Sequence, residues 1–478
     1  MKHLISTAFA LLACFNLHAR PATEKPNIII VFVDDSGYAD YAHTGNPTIH
    51  TPNITSMVHE GLNFPQFYCA SPACSASRYA LLTGRNPARS GFRWVLPPTE
   101  SKYLHPNETT IAEGLKNQGY ATAMFGKWHL GTPNTGNAYT PNALPLAHGF
   151  EIFEGTTVSH DYADSHLIMG PSSDNNPTTG YASITTKVPS KLEIMQGLTK
   201  RYTDRAIQFI STHKDDPFFI YLAPNMPHLP VHSSEEFQGT SLRGPLGDCI
   251  EEIDNSVGRI RQALADAGVT ENTLIIYTSD NGPWIRFENT TTTYPNGQGE
   301  ARLNVGSALP FRDGKGSTWE GGVRVPGVFC WPGTIPASSV EKTPASTMDL
   351  LPTIFSLAGE PVPGDRILDG RDIRPLLNPE NFTGTVPDFN FVYTGASSNG
   401  IYAARKGAWK MHIRLYSQTG NNYGFSASSS NPLLFNLEQD PGERFDLSAQ
   451  QSEQLPALQT IINDFQSSLN TEGTFWSP

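Results

Sequence analysis

The chain has 478 residues, 38% of them apolar and 10% aromatic, enough to bury a large core and to build two domains. Only 16% are charged, while 41 glycines and 38 prolines imply many ordered loops. A formal net charge of −12 argues against general nucleic-acid binding and requires any site for an anionic ligand to be locally basic.

From the N-terminus, Lys2 and His3 precede an apolar run from Leu4 to Phe15, and Leu17, His18 and Ala19 offer a cleavage site before Arg20. Residues 1–19 are therefore expected to be a signal peptide, and the protein to be secreted or periplasmic. A second reading takes Leu11, Leu12, Ala13 and Cys14 as a lipoprotein processing site, with the protein anchored through Cys14. No later segment reaches the roughly 20 apolar residues of a membrane span, so no transmembrane segment is expected. Apart from Cys14 and Cys74, three cysteines remain, Cys69, Cys249 and Cys330; they allow one disulfide at most.

Asn27 to Val33 is a continuous apolar run of β-branched type, as in a strand buried on both faces of a parallel sheet. Helical spacing over Thr109 to Gln118 precedes a strand at Tyr120 to Phe125. A helix at Leu198 to Ser211 precedes a strand at Phe218 to Leu222, and a helix at Gly247 to Gly268 precedes a strand at Thr273 to Thr278. The alternation predicts an α/β fold, a mostly parallel sheet flanked by helices over residues 25–378. Polar loops are expected from Gly170 to Thr186 and from Asn289 to Asn304, and a Pro/Gly-rich passage from Gly359 to Pro387. Residues 385–478 are expected to form a smaller α+β subdomain, an antiparallel sheet closed by a helix near Leu455 to Leu469.

In open parallel sheets, ligands sit beyond the C-terminal strand ends, and the chemical residues of this chain fall there. Asp34 and Asp35 follow the first strand; adjacent carboxylates repel unless a cation lies between them, and hard oxygens suit Ca²⁺ or Mg²⁺. Asp280 and Asn281 follow a later strand and can converge on the first pair. Lys127 and His129, two apart, project to one side of an extended segment. His228 lies between prolines after another strand, and Lys315 in a glycine-rich loop. Ser159, His160 and Asp161 are consecutive and so cannot converge as a serine triad. The pairs Arg93 with Trp94 and Trp284 with Arg286 are candidates for lining a cleft.

The run from Cys74 through Arg78 to Thr83, Gly84 and Arg85 resembles the signature of the type I sulfatases. The resemblance extends from about Pro26 to Gln466 and implies an alkaline phosphatase-like fold. It implies that Cys74 is oxidised to formylglycine by a maturation enzyme, and that the hydrated aldehyde attacks sulfur. Where the family usually has proline two residues after the cysteine, this chain has Ala76, which leaves the maturation route open.

By the same resemblance one Ca²⁺ is held by Asp34, Asp35, Asp280 and Asn281, with the modified Cys74 against it. Arg78 orients the nucleophile, Lys127 and Lys315 bind sulfate, His129 assists turnover of the bound sulfate ester, and His228 is the general acid. Ser159 and His160 follow a segment, His148 to Phe150, that precedes a pocket Ser-His pair in some sulfatases. Phe64 to Phe92 looks most like galactose- and N-acetylgalactosamine-sulfate sulfatases. The expected activity is thus removal of sulfate from a sulfated carbohydrate, a galactan such as carrageenan leading. The alternatives are a general arylsulfatase, a related phosphodiesterase or phosphonate hydrolase, and a glycan-binding protein on an inactive scaffold.

Overall fold

The computed structural model describes residues 25–131, 140–172, 180–285, 304–395 and 400–476. The expected signal peptide, Cys14 and Arg286 lie outside the described residues. Among the described residues, no helix is long and apolar enough to cross a membrane.

Ten strands form the main sheet, and five of them run parallel at its centre. In spatial order these are Thr273–Ser279, Asn27–Val33, Phe218–Ala223, Ala121–Gly126 and Ile152–Thr156. Side-chain alternation along Asn27–Val33 divides its residues between two cores: Ile28, Ile30 and Phe32 enter one, Ile29, Val31 and Val33 the other. Leu81, Leu82, Ile111, Leu115, Leu351 and Phe355 cover the first face from the helices Cys74–Thr83, Ile111–Asn117 and Leu350–Ala358. The long helices Leu192–Thr212 and Pro245–Asp266 cover the second through Leu198, Tyr202, Ile253 and Val257. Each expected strand and helix of this region is present close to its expected bounds, except that the helix expected from Leu198 begins at Leu192.

The polar stretch expected as a loop from 170 to 186 holds an edge strand, Ala182–Thr185, antiparallel to Leu167–Gly170. Tyr181, just before it, packs against Phe153, Ala182 is buried and Ser183 faces solvent. A polar outer face is the ordinary composition of an edge strand, which conceals it from a search for apolar runs.

The C-terminal sheet has four antiparallel strands, Asn390–Thr394, Ile401–Lys406, Trp409–His412 and Leu433–Asn436. One face gives Phe391, Tyr393 and Ala403 to the main core; the other packs Val392, Ala404, Met411 and Leu434 on the helix Leu455–Glu472 through Leu458 and Ile462. The Pro/Gly-rich passage before it is anchored too, with Ile373 and Leu377 buried in the main core.

A buried ionic knot joins this sheet to the main body. Lys410 Nζ lies 2.9 Å from Glu320 Oε1 and 3.1 Å from Glu443 Oε1, while Tyr68 donates to Glu320 Oε2 at 2.6 Å. His412 Nε2 is 2.7 Å from Glu443 Oε1, and Arg405 bonds the Tyr68 hydroxyl. Burial raises the Glu320 pKa, but Lys410, Arg324 and Arg405 outweigh it and hold the carboxyl at about 2. Its contribution to stability is therefore present above the ordinary value of 4.5 and is lost as pH falls toward about 2. Lys410→Met leaves two buried carboxylates facing each other and should cost about 3–5 kcal/mol in urea unfolding at pH 7. Glu320→Gln should flatten the acid limb of the stability–pH curve; an unchanged limb would show that the knot carries no such linkage.

Candidate active site

All five central strands deliver a site residue from their C-terminal ends. Val33 and Ser279 are paired in register, so Asp34 and Asp35 emerge beside Asp280 and Asn281. Gly126 pairs with Ala223, and Lys127 N still donates to Ala223 O at 2.7 Å. Trp128 and His129 then switch partner, donating to Thr156 O at 3.0 Å and Thr157 O at 3.1 Å. The switch needs glycine at 126: its φ is +123°, and a Cβ there would stand 1.9 Å from Ala223 O. Asp35 and His129 themselves sit at φ 62° and 56°, left-handed conformations that cost about 1–3 kcal/mol each and that surrounding structure must enforce.

Cys74 opens the helix Cys74–Thr83, every residue of which is buried. Arg78 is one turn later on the same face. Its Nη2 donates to Asp280 Oδ2 at 2.8 Å, its Nη1 to Lys127 O at 3.0 Å, and its Nη2 stands 3.7 Å from Asp34 Oδ2. Lys127 Nζ meets Asp34 Oδ2 at 2.5 Å, and Lys315 Nζ meets Asp35 Oδ2 at 2.8 Å. Three buried cations thus face three buried carboxylates.

Burial raises the Asp34 pKa, yet Lys127, His228 and Arg78 together hold its carboxyl well below the usual range. Asp280 goes the other way: burial and the neighbouring charges of Asp34 and Asp35 push it up to about 7 against the pull of Arg78 and Lys127. Burial also pushes the Cys74 thiol up to about 11, so the unmodified side chain is a neutral thiol near pH 7 and a poor nucleophile.

The two histidines have assignable tautomers, because a carbonyl can only accept. His129 Nε2 donates to Leu96 O at 3.1 Å, leaving Nδ1 as a lone pair without a hydrogen-bond partner among the described residues. Burial, then Lys127 and Arg78, hold this imidazole neutral by lowering its pKa far below normal. His228 Nδ1 bonds Leu229 O at 2.5 Å, and its Nε2 points to Asp35 Oδ2 at 3.5 Å. Burial and Lys315 lower its pKa, while Asp35 and Asp34 act in the opposite sense.

Ligand atoms of Asp34, Asp35, Cys74 and His228 lie within 4.8 Å of one another. Asp34 Oδ1 and Asn281 Oδ1 are buried with no hydrogen-bond partner among the described residues, although each is a good acceptor. Hard, unsatisfied oxygens among crowded carboxylates fit a divalent cation. Asp280 and Asp35 have both oxygens engaged: Asp280 Oδ1 by Asp35 N at 3.1 Å and Oδ2 by Arg78, Asp35 Oδ1 by Asn281 Nδ2 at 2.7 Å and Oδ2 by Lys315.

Ser159 and His160 are buried at the end of Ile152–Thr156. The His160 ring lies 5.6 Å from that of His228, and its Nε2 bonds Pro230 O at 2.9 Å. Trp284 is half-buried, 5.4 Å from the His228 ring, with Lys315 Nζ 4.7 Å from its centroid. Trp94 instead packs edge-on to Tyr416 at 5.8 Å, and the four described cysteines are free. Sequence reasoning did not find Tyr162, whose ring stands 5.9 Å from that of His129, nor the Leu96 carbonyl. A backbone acceptor has no residue-type signal, and Tyr162 is recognisable only once the turn before it is folded.

Residues 26–360 match the family described as Sulfatase, and residues 386–475 match the C-terminal region of aryl-sulfatase. The chain is 35% identical to mouse (Mus musculus) N-acetylgalactosamine-6-sulfatase over 96% of its own length and 89% of the relative's. It is 37% identical to human (Homo sapiens) arylsulfatase A over 90% of this chain and 84% of that one. Among solved structures, Ps i-CgsB in complex with k-i-k-neocarrahexaose superposes with a TM-score of 0.73 at 27% identity, covering 95% of both chains. The strand-end constellation and these near full-length similarities lead to one conclusion: the chain belongs to the sulfatase family and is a sulfuric ester hydrolase.

Proposed function

We propose that this enzyme removes sulfate from a sulfated carbohydrate, with a carrageenan-type galactan as the leading substrate, using a formylglycine made from Cys74. The observation that carries the mechanism is the convergence of Cys74, Arg78, Lys127, Lys315 and both histidines on one buried carboxylate cluster. Here the Cys74 thiol stands in for the modified side chain. A neutral thiol raised to about 11 is unsuited to attack sulfur, which favours a converted residue.

Asp34, Asp35, Asp280 and Asn281 would hold the cation, and their all-oxygen chemistry suits Ca²⁺. Once bound, such an ion supplies positive charge that favours the deprotonated nucleophile and a sulfate oxygen beside it. Lys127 and Lys315 neutralise charge on the sulfuryl oxygens, and Arg78 fixes the nucleophile's orientation from one turn along its helix. His129 takes up a proton through the free Nδ1, and His228 delivers one to the leaving alcohol through Nε2. The lowered pKa of His228 makes its imidazolium a strong donor while shrinking that form's population at neutral pH.

The carbohydrate reading is supported by the hexaose carried by the Ps i-CgsB neighbour and by the sugar-sulfatase relatives. The 37% identity to arylsulfatase A supports a second reading, a general arylsulfatase on small esters. Export, or lipid anchoring through Cys14, would place the enzyme where large polymers are met.

Peptide mass spectrometry of active enzyme should show a loss of about 18 Da at Cys74, the exchange of a thiol for an aldehyde. Cys74→Ala should fold and be inert; full activity with wholly unmodified Cys74 would overturn the mechanism.

Chelation should abolish turnover, and Ca²⁺ should restore it. Asp34→Ala should reduce bound metal in elemental analysis and lower kcat by about 10²-fold or more. Undiminished activity with no metal bound would remove the cation from the proposal.

A general acid matters most for a poor leaving group. His228→Ala should therefore lower kcat/KM for a sugar sulfate far more than for nitrophenyl sulfate, whereas equal losses would assign His228 to binding.

A further inference from the structure

One short turn spans both histidines of the site. Tyr162 N closes it on Ser159 O at 3.3 Å, and Ser165 N continues it onto Tyr162 O at 2.9 Å. Within this turn His160 packs against His228 at 5.6 Å, and Tyr162 packs against His129 at 5.9 Å. Asp161 lies between His160 and Tyr162 in sequence, and its carboxylate faces the charges of His228 first and His160 second.

Asp161 Oδ1 is buried and has no hydrogen-bond partner among the described residues. The same is true of His160 Nδ1 and of Trp284 Nε1, and the His160 and Trp284 rings both pack against the His228 ring. A buried carboxylate oxygen without a donor costs free energy unless a ligand supplies one. Despite burial, His228 and His160, with the Ser159 side chain acting in the same sense, keep the Asp161 carboxyl below its ordinary range, so it stands ionised and can only accept.

At the sulfate end of the pocket, Lys127 and Lys315 are assigned to the sulfuryl oxygens and Arg78 to the nucleophile, and each of the three reaches a carboxylate of the Asp34, Asp35 and Asp280 cluster rather than Asp161. A negative acceptor beside the leaving-group proton donor suits a hydroxyl and repels a second sulfate.

We infer that Asp161 is a specificity-determining residue: its carboxylate accepts a hydrogen bond from a free hydroxyl on the carbon next to the sulfate ester, so the site takes sugar units bearing one sulfate there and rejects vicinal disulfates. Trp284, on the other side of His228, gives the same sugar an apolar wall and an indole N–H. This inference rests on the carbohydrate reading and narrows it.

The test uses the matured, metal-loaded enzyme and three esters of one sugar: the monosulfate with a free neighbouring hydroxyl, its deoxy analogue, and the vicinal disulfate. Wild type should prefer the free hydroxyl over the deoxy analogue by about 10- to 100-fold in kcat/KM, the size of a lost hydrogen bond to a charged group. Asp161→Asn and Asp161→Ala should shrink that ratio to within about threefold and improve the disulfate relative to the monosulfate. A structural role would lower all three rates together and leave the ratios intact. Unchanged ratios in both folded variants, or no hydroxyl preference in wild type, would overturn the inference while leaving carbohydrate desulfation standing. Turnover of nitrophenyl sulfate but of no sugar ester would overturn both.

Discussion

The site depends on a balance of charge in a place shielded from solvent. Asp34, Asp35 and Asp280 are all buried at neighbouring strand ends, where mutual repulsion alone would protonate one of them or open the sheet. Arg78, Lys127 and Lys315 offset this, each reaching a different carboxylate from a different element, although Asp280 is still pushed up to about 7. Removing a single member would leave an uncompensated buried charge, so these residues fold the site as well as furnish it. Under the proposed function the same cations would also face the anionic group, with the bound cation tipping a site of three cations and three carboxylates toward positive charge.

That arrangement is a consequence of parallel strands. Five strands all ending on one side deliver their following residues to one place, and in-register pairing of Val33 with Ser279 fixes which residues meet. The tight geometry costs backbone strain at Asp35 and His129, which the sheet beneath them over-determines. The close fit at Gly126 is part of the same demand, because only a residue without a side chain lets the chain pass from the strand Phe218–Ala223 at Lys127 to the end of the strand Ile152–Thr156 at Trp128 and His129.

The sequence made the fold legible where apolar periodicity was strong. The central strands and the long helices at 192–212 and 245–266 are unmistakable because both faces or one whole stripe must be buried. The edge strand Ala182–Thr185 escaped because its outward side chains are polar like those of a loop. In the site, residues with distinctive chemistry at strand ends, such as Asp34, Lys127 and His228, could be located from the sequence alone. Roles set by a tautomer or by a backbone acceptor could not: the free Nδ1 of His129 depends on the Leu96 carbonyl, which carries no signature. Asp161 was set aside because consecutive residues cannot form a triad, and only the folded turn shows what its carboxylate faces.

The loop that presents Leu96 is itself fastened from far away. Arg85 and Arg89, which follow the Cys74 helix, both bind Glu472, and Trp476 donates to Tyr103 O at 2.8 Å while lying against Gly91. Arg85 and Glu472 are separated by 387 positions. During synthesis the ribosome must therefore deliver all of the intervening chain before this clasp can close. Until then the cysteine segment and the loop that aligns His129 lack their final fastening, so assembly of the catalytic face is a late event in the life of the nascent chain.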